Sequence, residues 1–160
     1  MSEYRYVKGA QEVQAELLAY PAKVEAKVVR NALAAGARVV RDDARTHVPR
    51  RRGLLAQSIR VKTRVRNGQA SAGVRVGNRK TGVFYAHMVL GGTKAHKIVA
   101  RKAKGLKLLG GGLRTAIMHP GAKANNFMDR ARASIPRALD TIISRARVLV
   151  DKLNREVGGA

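Results

Sequence analysis

Four histidines, His47, His87, His96 and His119, are the side chains of this 160-residue chain best suited to proton transfer or metal ligation. They lie on different stretches of the sequence, at spacings that fit neither a metal-binding motif nor an acid–base pair. The chain has no cysteine, so disulfides, thiolate metal sites and cysteine nucleophiles are all closed to it. The glycine clusters Gly91-Gly92 and Gly110-Gly111-Gly112 could cradle phosphates in principle. Neither leads into a Gly-Lys-Ser/Thr helix start or shows a GxGxxG pattern, so turn and hinge are the better readings. No catalytic site, cofactor or metal is expected, and the protein is expected not to be an enzyme.

The chemistry that remains is anion contact. The chain has 33 Lys and Arg against 10 Asp and Glu, a formal charge of +23, which points to an anionic partner. The distribution is sharper than the sum: from Ala44 through Met128 there are nineteen Lys and Arg and no acid, so the middle of the chain cannot pair its cations internally. Three clusters stand out as candidate interface or anion-contacting residues. The first is Arg50-Arg51-Arg52, directly after Pro49, able to hold phosphates or carboxylates through charge-assisted bidentate bonds. The second is the alternating set Arg60, Lys62 and Arg64, joined by Arg75. The third is the run Lys94, Lys97, Arg101, Lys102, Lys104 and Lys107. Only Phe84 and Tyr85 supply aromatic rings near these cations, too few to stack bases, so any DNA contact should be to the backbone, nonspecific and salt-dependent. Solvated strand and loop faces are the plain alternative for each cluster.

The elements that must carry these residues follow from periodicity. Val24, Val28, Ala32, Leu33, Gly36, Val39, Val40 and Ala44 recur at intervals of three and four, which predicts an amphipathic helix over 22–47 that Pro49 stops. A shorter helix over 11–19 lies in the N-terminal segment 1–21, separated from the main one at Tyr20-Pro21. From Gln57 to Gly77 the period becomes two, with Ile59, Val61, Thr63 and Val65 on one face and basic residues on the other. Asn67-Gly68 is the preferred pair for a two-residue type I′ turn, and it sets Val65 against Ala70, Thr63 against Ala72, Val61 against Val74 and Ile59 against Val76. The same register places Arg60 opposite Arg75, a like-charge pair that costs stability unless solvent, salt or an acidic partner separates the charges, and that face is a candidate interface.

The apolar run Val83 to Leu90 predicts a buried strand ended by Gly91-Gly92. Residues 93–112 read as a mobile basic loop or a β-ribbon, with Leu113 to Met118 returning as a strand. Helical spacing resumes over 125–157, where Ser134 is a candidate cap with Pro136 in the first turn. One domain over 1–160 is expected, of α+β class: an antiparallel sheet over 56–118, containing the basic loop, covered by two long helices. With no Trp and only two Phe its core should be thin and made mostly of Ala, Val, Leu and Ile. No window approaches the roughly 20 apolar residues of a membrane span, and the polar start lacks the apolar stretch of a secretory signal. No membrane partner is expected, and the cytoplasm is the expected place of synthesis.

The corner Val48-Pro49-Arg50-Arg51-Arg52-Gly53-Leu54-Leu55-Ala56-Gln57-Ser58-Ile59 resembles the pattern V-P-x-R-T-G-x-L-x-x-S-I of the HK97 gp10-like family of phage neck and tail-completion proteins. Tyr85-Ala86 leading to Gly92-Thr93 is similar to that family's Y-A-x-x-x-E-x-G-T. His119-Pro120-Gly121 with Phe127 is similar to its H-P-G-x-x-x-x-P-F. The chain departs from these patterns at Arg52, at Leu90, where the family often has Glu, and at Asn126. Pro49, Gly53, Ser58, Gly92, Thr93, His119, Pro120, Gly121 and Phe127 are therefore candidate structural determinants of the family fold.

The resemblance implies a structural protein of the virion. It would be a ring-forming subunit, hexameric first and dodecameric as the second choice, seated at the neck between the portal or head-completion proteins and the tail terminator or tail tube protein. The basic clusters would then meet acidic neighbours or the backbone of packaged DNA. A free, nonspecific DNA-backbone-binding protein is the alternative that the charge alone would support.

Overall fold

The computed structural model describes residues 9–18, 22–77, 82–100, 105–107 and 111–158. Helix α1 (Ala10–Leu18) precedes the long α2 (Ala22–His47), whose last turn carries Arg45 and His47, the charge sign that a helix C-terminus favours. A short helix α3 (Leu54–Ser58) leads into the hairpin β1 (Arg60–Arg66) and β2 (Gln69–Arg75). Helix α4 (Ala86–Gly91) follows. Then come β3 (His96–Val99), β4 (Leu106–Lys107), β5 (Leu113–Arg114) and β6 (Ala116–His119). Helix α5 (Phe127–Ala131), a single 3-10 turn over Arg132–Ser134 and the long α6 (Ile135–Gly158) complete the order. The class is α+β. The break expected at Tyr20-Pro21 lies outside the described residues.

The hairpin has the register that its turn and alternation predict: Val65 pairs with Ala70, Thr63 with Ala72 and Val61 with Val74. Asn67 and Gly68 both take positive φ, 50° and 77°, as a type I′ turn requires. The half-buried positions of both strands lie against α2, and the alternate positions are exposed. Pairing stops at Arg60 opposite Arg75 rather than reaching Ile59 and Val76, because Leu54–Ser58 is helical and Ile59 caps it, giving its N–H to the Ala56 carbonyl at 3.2 Å. Among the described residues two further hydrogen-bonded ribbons occur, β3 with β6 and β4 with β5, so the described antiparallel pairing is spread over three two-stranded ribbons and not one sheet. The loop-or-ribbon alternative over 93–112 therefore resolves, in its described parts, to a ribbon.

The largest correction concerns Val83 to Leu90, which is not a strand. Val83 forms an isolated bridge, Phe84 and Tyr85 turn, and Ala86 opens α4. Val83 and Ala86 are buried and Val89 and Leu90 half-buried, whereas Phe84, His87 and Met88 are exposed. That is a helical period hidden in an all-apolar run, where periodicity in hydrophobicity carries no signal. The C-terminal helix also differs in detail. Ser134 does not cap α6; its hydroxyl donates to the Ala131 carbonyl at 2.7 Å, and the 3-10 turn before Pro136 joins α5 to α6.

Small apolar residues dominate the interior, as expected, but it forms two clusters strung along α2. Near its start, Val28 and Ala32 pack with Val13 of α1 and with Ala146 and Val150 of α6. Near its end, Ala44 and Val48 pack with Leu55, Ile59, Val83, Ala86, Phe127 and Ala131. Between the clusters α2 and α6 approach closely at Gly36, where an added Cβ would lie 2.4 Å from Ile142 Cγ1 and 2.8 Å from the Ala138 carbonyl oxygen. Helix α2 is thus the spine that the hairpin, α5 and α6 all contact.

Candidate interface and anion-contact surface

The corner after α2 is held by side-chain-to-backbone hydrogen bonds together with the burial of Val48, Leu55 and Ile59 in the cluster at the end of α2. Arg45 reaches across the corner and donates to the carbonyls of Ala56 (3.2 Å), which also accepts the Ile59 N–H, and Ile59 (2.8 Å). Ser58 Oγ donates to Leu55 O at 2.7 Å and accepts the Gly77 N–H at 3.1 Å, tying the short helix to the far end of the hairpin. Gly53, at φ 74°, turns the chain into α3. Gly53 and Ser58 thus both act at the corner, which Pro49 precedes just beyond the end of α2. Arg45 was not among the predicted site residues; its basic type gives no sign that it faces in while its neighbours face out.

Arg50, Arg51 and Arg52 stand on the outside of this corner, all exposed, with Arg50 donating to the Arg45 carbonyl at 3.1 Å. Pro49, the three arginines, Gly53, Leu54, Leu55, Tyr85 and Val89 line a cleft of about 550 Å³. Beside it lie large apolar side chains that no described residue covers: Leu54 is 46% exposed, Phe84 61% and Met88 42%. Phe84 meets Tyr85 edge to face at 6.2 Å between centroids. These three apolar residues were missed because the segment that carries two of them reads as a buried strand.

The second and third motifs meet at the root of the β3–β6 ribbon. Thr93 and Ala122 exchange both backbone hydrogen bonds, at 2.9 and 3.0 Å. Gly92 and Gly121 allow this approach: a Cβ on Gly92 would lie 2.6 Å from Ala122 O, and one on Gly121 2.3 Å from Thr93 O. His119 Nδ1 accepts the Gly121 N–H at 3.0 Å, and its ring stacks on that of His96, its cross-strand partner, at 5.0 Å. Pro120 links the two, and Phe127 anchors the following helix, fully buried in the cluster at the end of α2. Lys94, just before β3, Lys97 in β3 and Lys107 in β4 are exposed. Arg101, Lys102 and Lys104 lie outside the described residues.

The outer face of the hairpin gathers the remaining predicted cations. Arg60 stands opposite Arg75, Lys62 opposite Gly73 and Arg64 opposite Ser71. Lys62, Arg64 and Arg75 line a furrow of about 580 Å³ with Ser71, Gly73 and Val74. Among the described residues no ion pair reaches this face. The pairs lie elsewhere, as in Arg41 with Asp42 at 2.8 Å and Arg147 with Glu12 at 3.2 Å. The hydrogen bond from Arg41, with added attraction from Arg41, Arg45 and Arg38, holds the Asp42 carboxyl below its ordinary range. His47 is less isolated than the spacing of the histidines suggests, with Nδ1 at 2.9 Å from Asp43 O and 3.8 Å from its carboxylate, one turn apart at the helix end. Among the described residues no three His, Asp or Glu side chains converge as metal ligands, and no helix is long and apolar enough to cross a membrane.

A family model described as "Bacteriophage HK97-gp10, putative tail-component" matches residues 10–89, from the first residue of α1 into α4. That span takes in the Pro49–Ser58 corner, the whole hairpin and Tyr85-Ala86, while the ribbon root and Phe127 lie beyond it. No curated protein and no solved structure matches the chain. With the matched span covering half of its 160 residues, and the corner motif folded at the junction of helix and hairpin, the chain belongs to the bacteriophage HK97 gp10-like family of tail components.

Proposed function

We propose that this tail-family chain is a ring-forming connector subunit of the virion neck, joining the DNA-filled head to the tail. The observation that carries the reading is the corner after α2. There an arginine triplet and an apolar floor of Leu55, Tyr85 and Val89 adjoin the exposed side chains of Leu54, Phe84 and Met88. Exposed apolar area rimmed by arginine and aromatic residues is the usual composition of a protein–protein contact, and here the occupant is the neighbouring copy of the same chain. A contact between two different faces repeats around a rotation axis until it closes, which gives a ring. Six copies are the first choice and twelve the second. One side of the ring seats on the portal or head-completion protein and the other receives the tail terminator or tail tube protein. The subunit is made in the host bacterial cytoplasm and acts by binding, without turnover.

Native mass spectrometry of the purified chain, beside a Leu54→Ser/Phe84→Ser/Met88→Ser variant, tests the ring. A closed oligomer lost in the variant supports it; a monomer at every concentration, with or without partner proteins, overturns it. Electron microscopy of particles made without this gene tests the joining role. Full heads beside finished, separate tails are expected, and normal numbers of tailed particles would leave a free DNA-binding protein as the better reading.

A further inference from the structure

We infer that the outer face of the β1–β2 hairpin is a binding strip for the phosphate backbone of duplex DNA, distinct from the protein-contact corner. The ladder aims Arg60, Lys62, Arg64 and Arg66 to one side of β1, and alternate residues of a strand repeat at roughly 7 Å. That makes a straight row of cations suited to successive backbone phosphates. Across the ladder from Lys62 and Arg64 stand Gly73 and Ser71, which contribute almost no side chain, and the furrow of about 580 Å³ opens there with Arg75 among its lining residues. The row therefore has a furrow beside it.

Three features favour duplex DNA over an acidic protein or a single strand. The outward positions of both strands are Arg60, Lys62, Arg64, Arg66, Gln69, Ser71, Gly73 and Arg75, with no apolar side chain among them, whereas protein interfaces have an apolar centre. No aromatic ring lies on the face, so it offers nothing for unstacked bases. Arg60 directly opposite Arg75 is a like-charge pair that weakens the hairpin, and a polyanion relieves it. The exposed cations make no described ion pair within the chain, so each is available to displace a counterion from DNA. The strip is a property of the folded chain and holds whether or not the ring forms.

The test is fluorescence anisotropy of the full chain with a mixed-sequence DNA duplex of about 25 base pairs, titrated at several salt concentrations. The strip variant carries Arg60→Thr, Lys62→Thr, Arg64→Thr and Arg75→Thr, outward substitutions with good strand propensity. The control carries Arg137→Gln, Arg145→Gln, Lys152→Gln and Arg155→Gln, which remove the same charge from exposed positions of α6. Four lost phosphate contacts lower the slope of log K against log salt by about 3 to 4, which removes roughly a hundredfold of the affinity loss over a fourfold rise in salt. The control is expected to change the slope by less than about 1. Equal changes in both variants, or no binding by the parent chain, overturn the inference. Competition by poly-glutamate in place of duplex DNA, with the DNA slope unchanged in the strip variant, would assign the face to an acidic protein instead. Circular dichroism melting of both variants keeps a folding defect from passing as a binding defect.

Discussion

Gly92→Ala should detach the basic ribbon at its root while leaving the helical body intact. Gly92 sits at φ 69°, ψ −178°, a region that only glycine occupies at low cost, and a side chain forced there costs about 1–3 kcal/mol. Its new Cβ would also lie 2.6 Å from Ala122 O and 2.8 Å from Ala124 N, both backbone atoms that cannot rotate away. Relief requires the two segments to separate, which breaks the Thr93–Ala122 pair of hydrogen bonds, each contributing about 1 kcal/mol net. Those bonds are absent from the opened state of parent and variant alike, so the strain carried by the closed form, about 1–3 kcal/mol, sets the rise in the opening equilibrium at about five- to 150-fold. Hydrogen exchange followed by mass spectrometry reads it directly: amides of Thr93, Ala122 and the β3–β6 ladder exchange faster by that factor. Those of α2 and α6 do not change, because the ribbon's main contacts are within itself. Unchanged protection at Thr93 and Ala122 would refute the role of the glycine, and equal acceleration in α2 would refute the separateness of the ribbon.

Gly36→Ala gains about 1 kcal/mol of helix propensity but forces α2 from α6 against Ile142 and the Ala138 carbonyl, an overpacking cost of about 1–3 kcal/mol. Net destabilisation is expected in thermal unfolding, partly rescued by adding Ile142→Val. Ser58→Ala leaves the part-buried Gly77 N–H without its acceptor and should cost about 1–3 kcal/mol, lowering Tm by several degrees. Asp42→Asn should cost less than about 1 kcal/mol, since the pair with Arg41 is exposed. Because the folded Asp42 carboxyl lies below its ordinary range, its contribution is present above the unfolded carboxylate pKa and fades as pH falls through the depressed folded value. The stability gap between parent and variant, measured by denaturant titration across pH, should therefore be full at neutral pH and close in acid.

Helix α2 and the hairpin with its register are legible in the primary structure, because each is specified by local patterns. Eight residues at helical spacing mark α2, and the Asn67-Gly68 turn with strict alternation leaves one pairing that keeps Val61, Thr63 and Ala72 on the same side. The basic character of the hairpin's outer face follows from the same alternation. Tertiary structure alone decided α4, since Val83 to Leu90 is apolar at every position but one and so carries no period of its own. What selects the helix is the burial of Val83 and Ala86 against Phe127, a residue some forty positions later. Tertiary structure also decided which arginines face inward. Arg45 and Arg50 are of one type and five positions apart, but the fold brings the carbonyls of Ala56 and Ile59 to Arg45, and leaves Arg50, Arg51 and Arg52 around an exposed cleft. Side-chain identity sets what an arginine can bond, and only the folded chain sets which acceptors are within its reach.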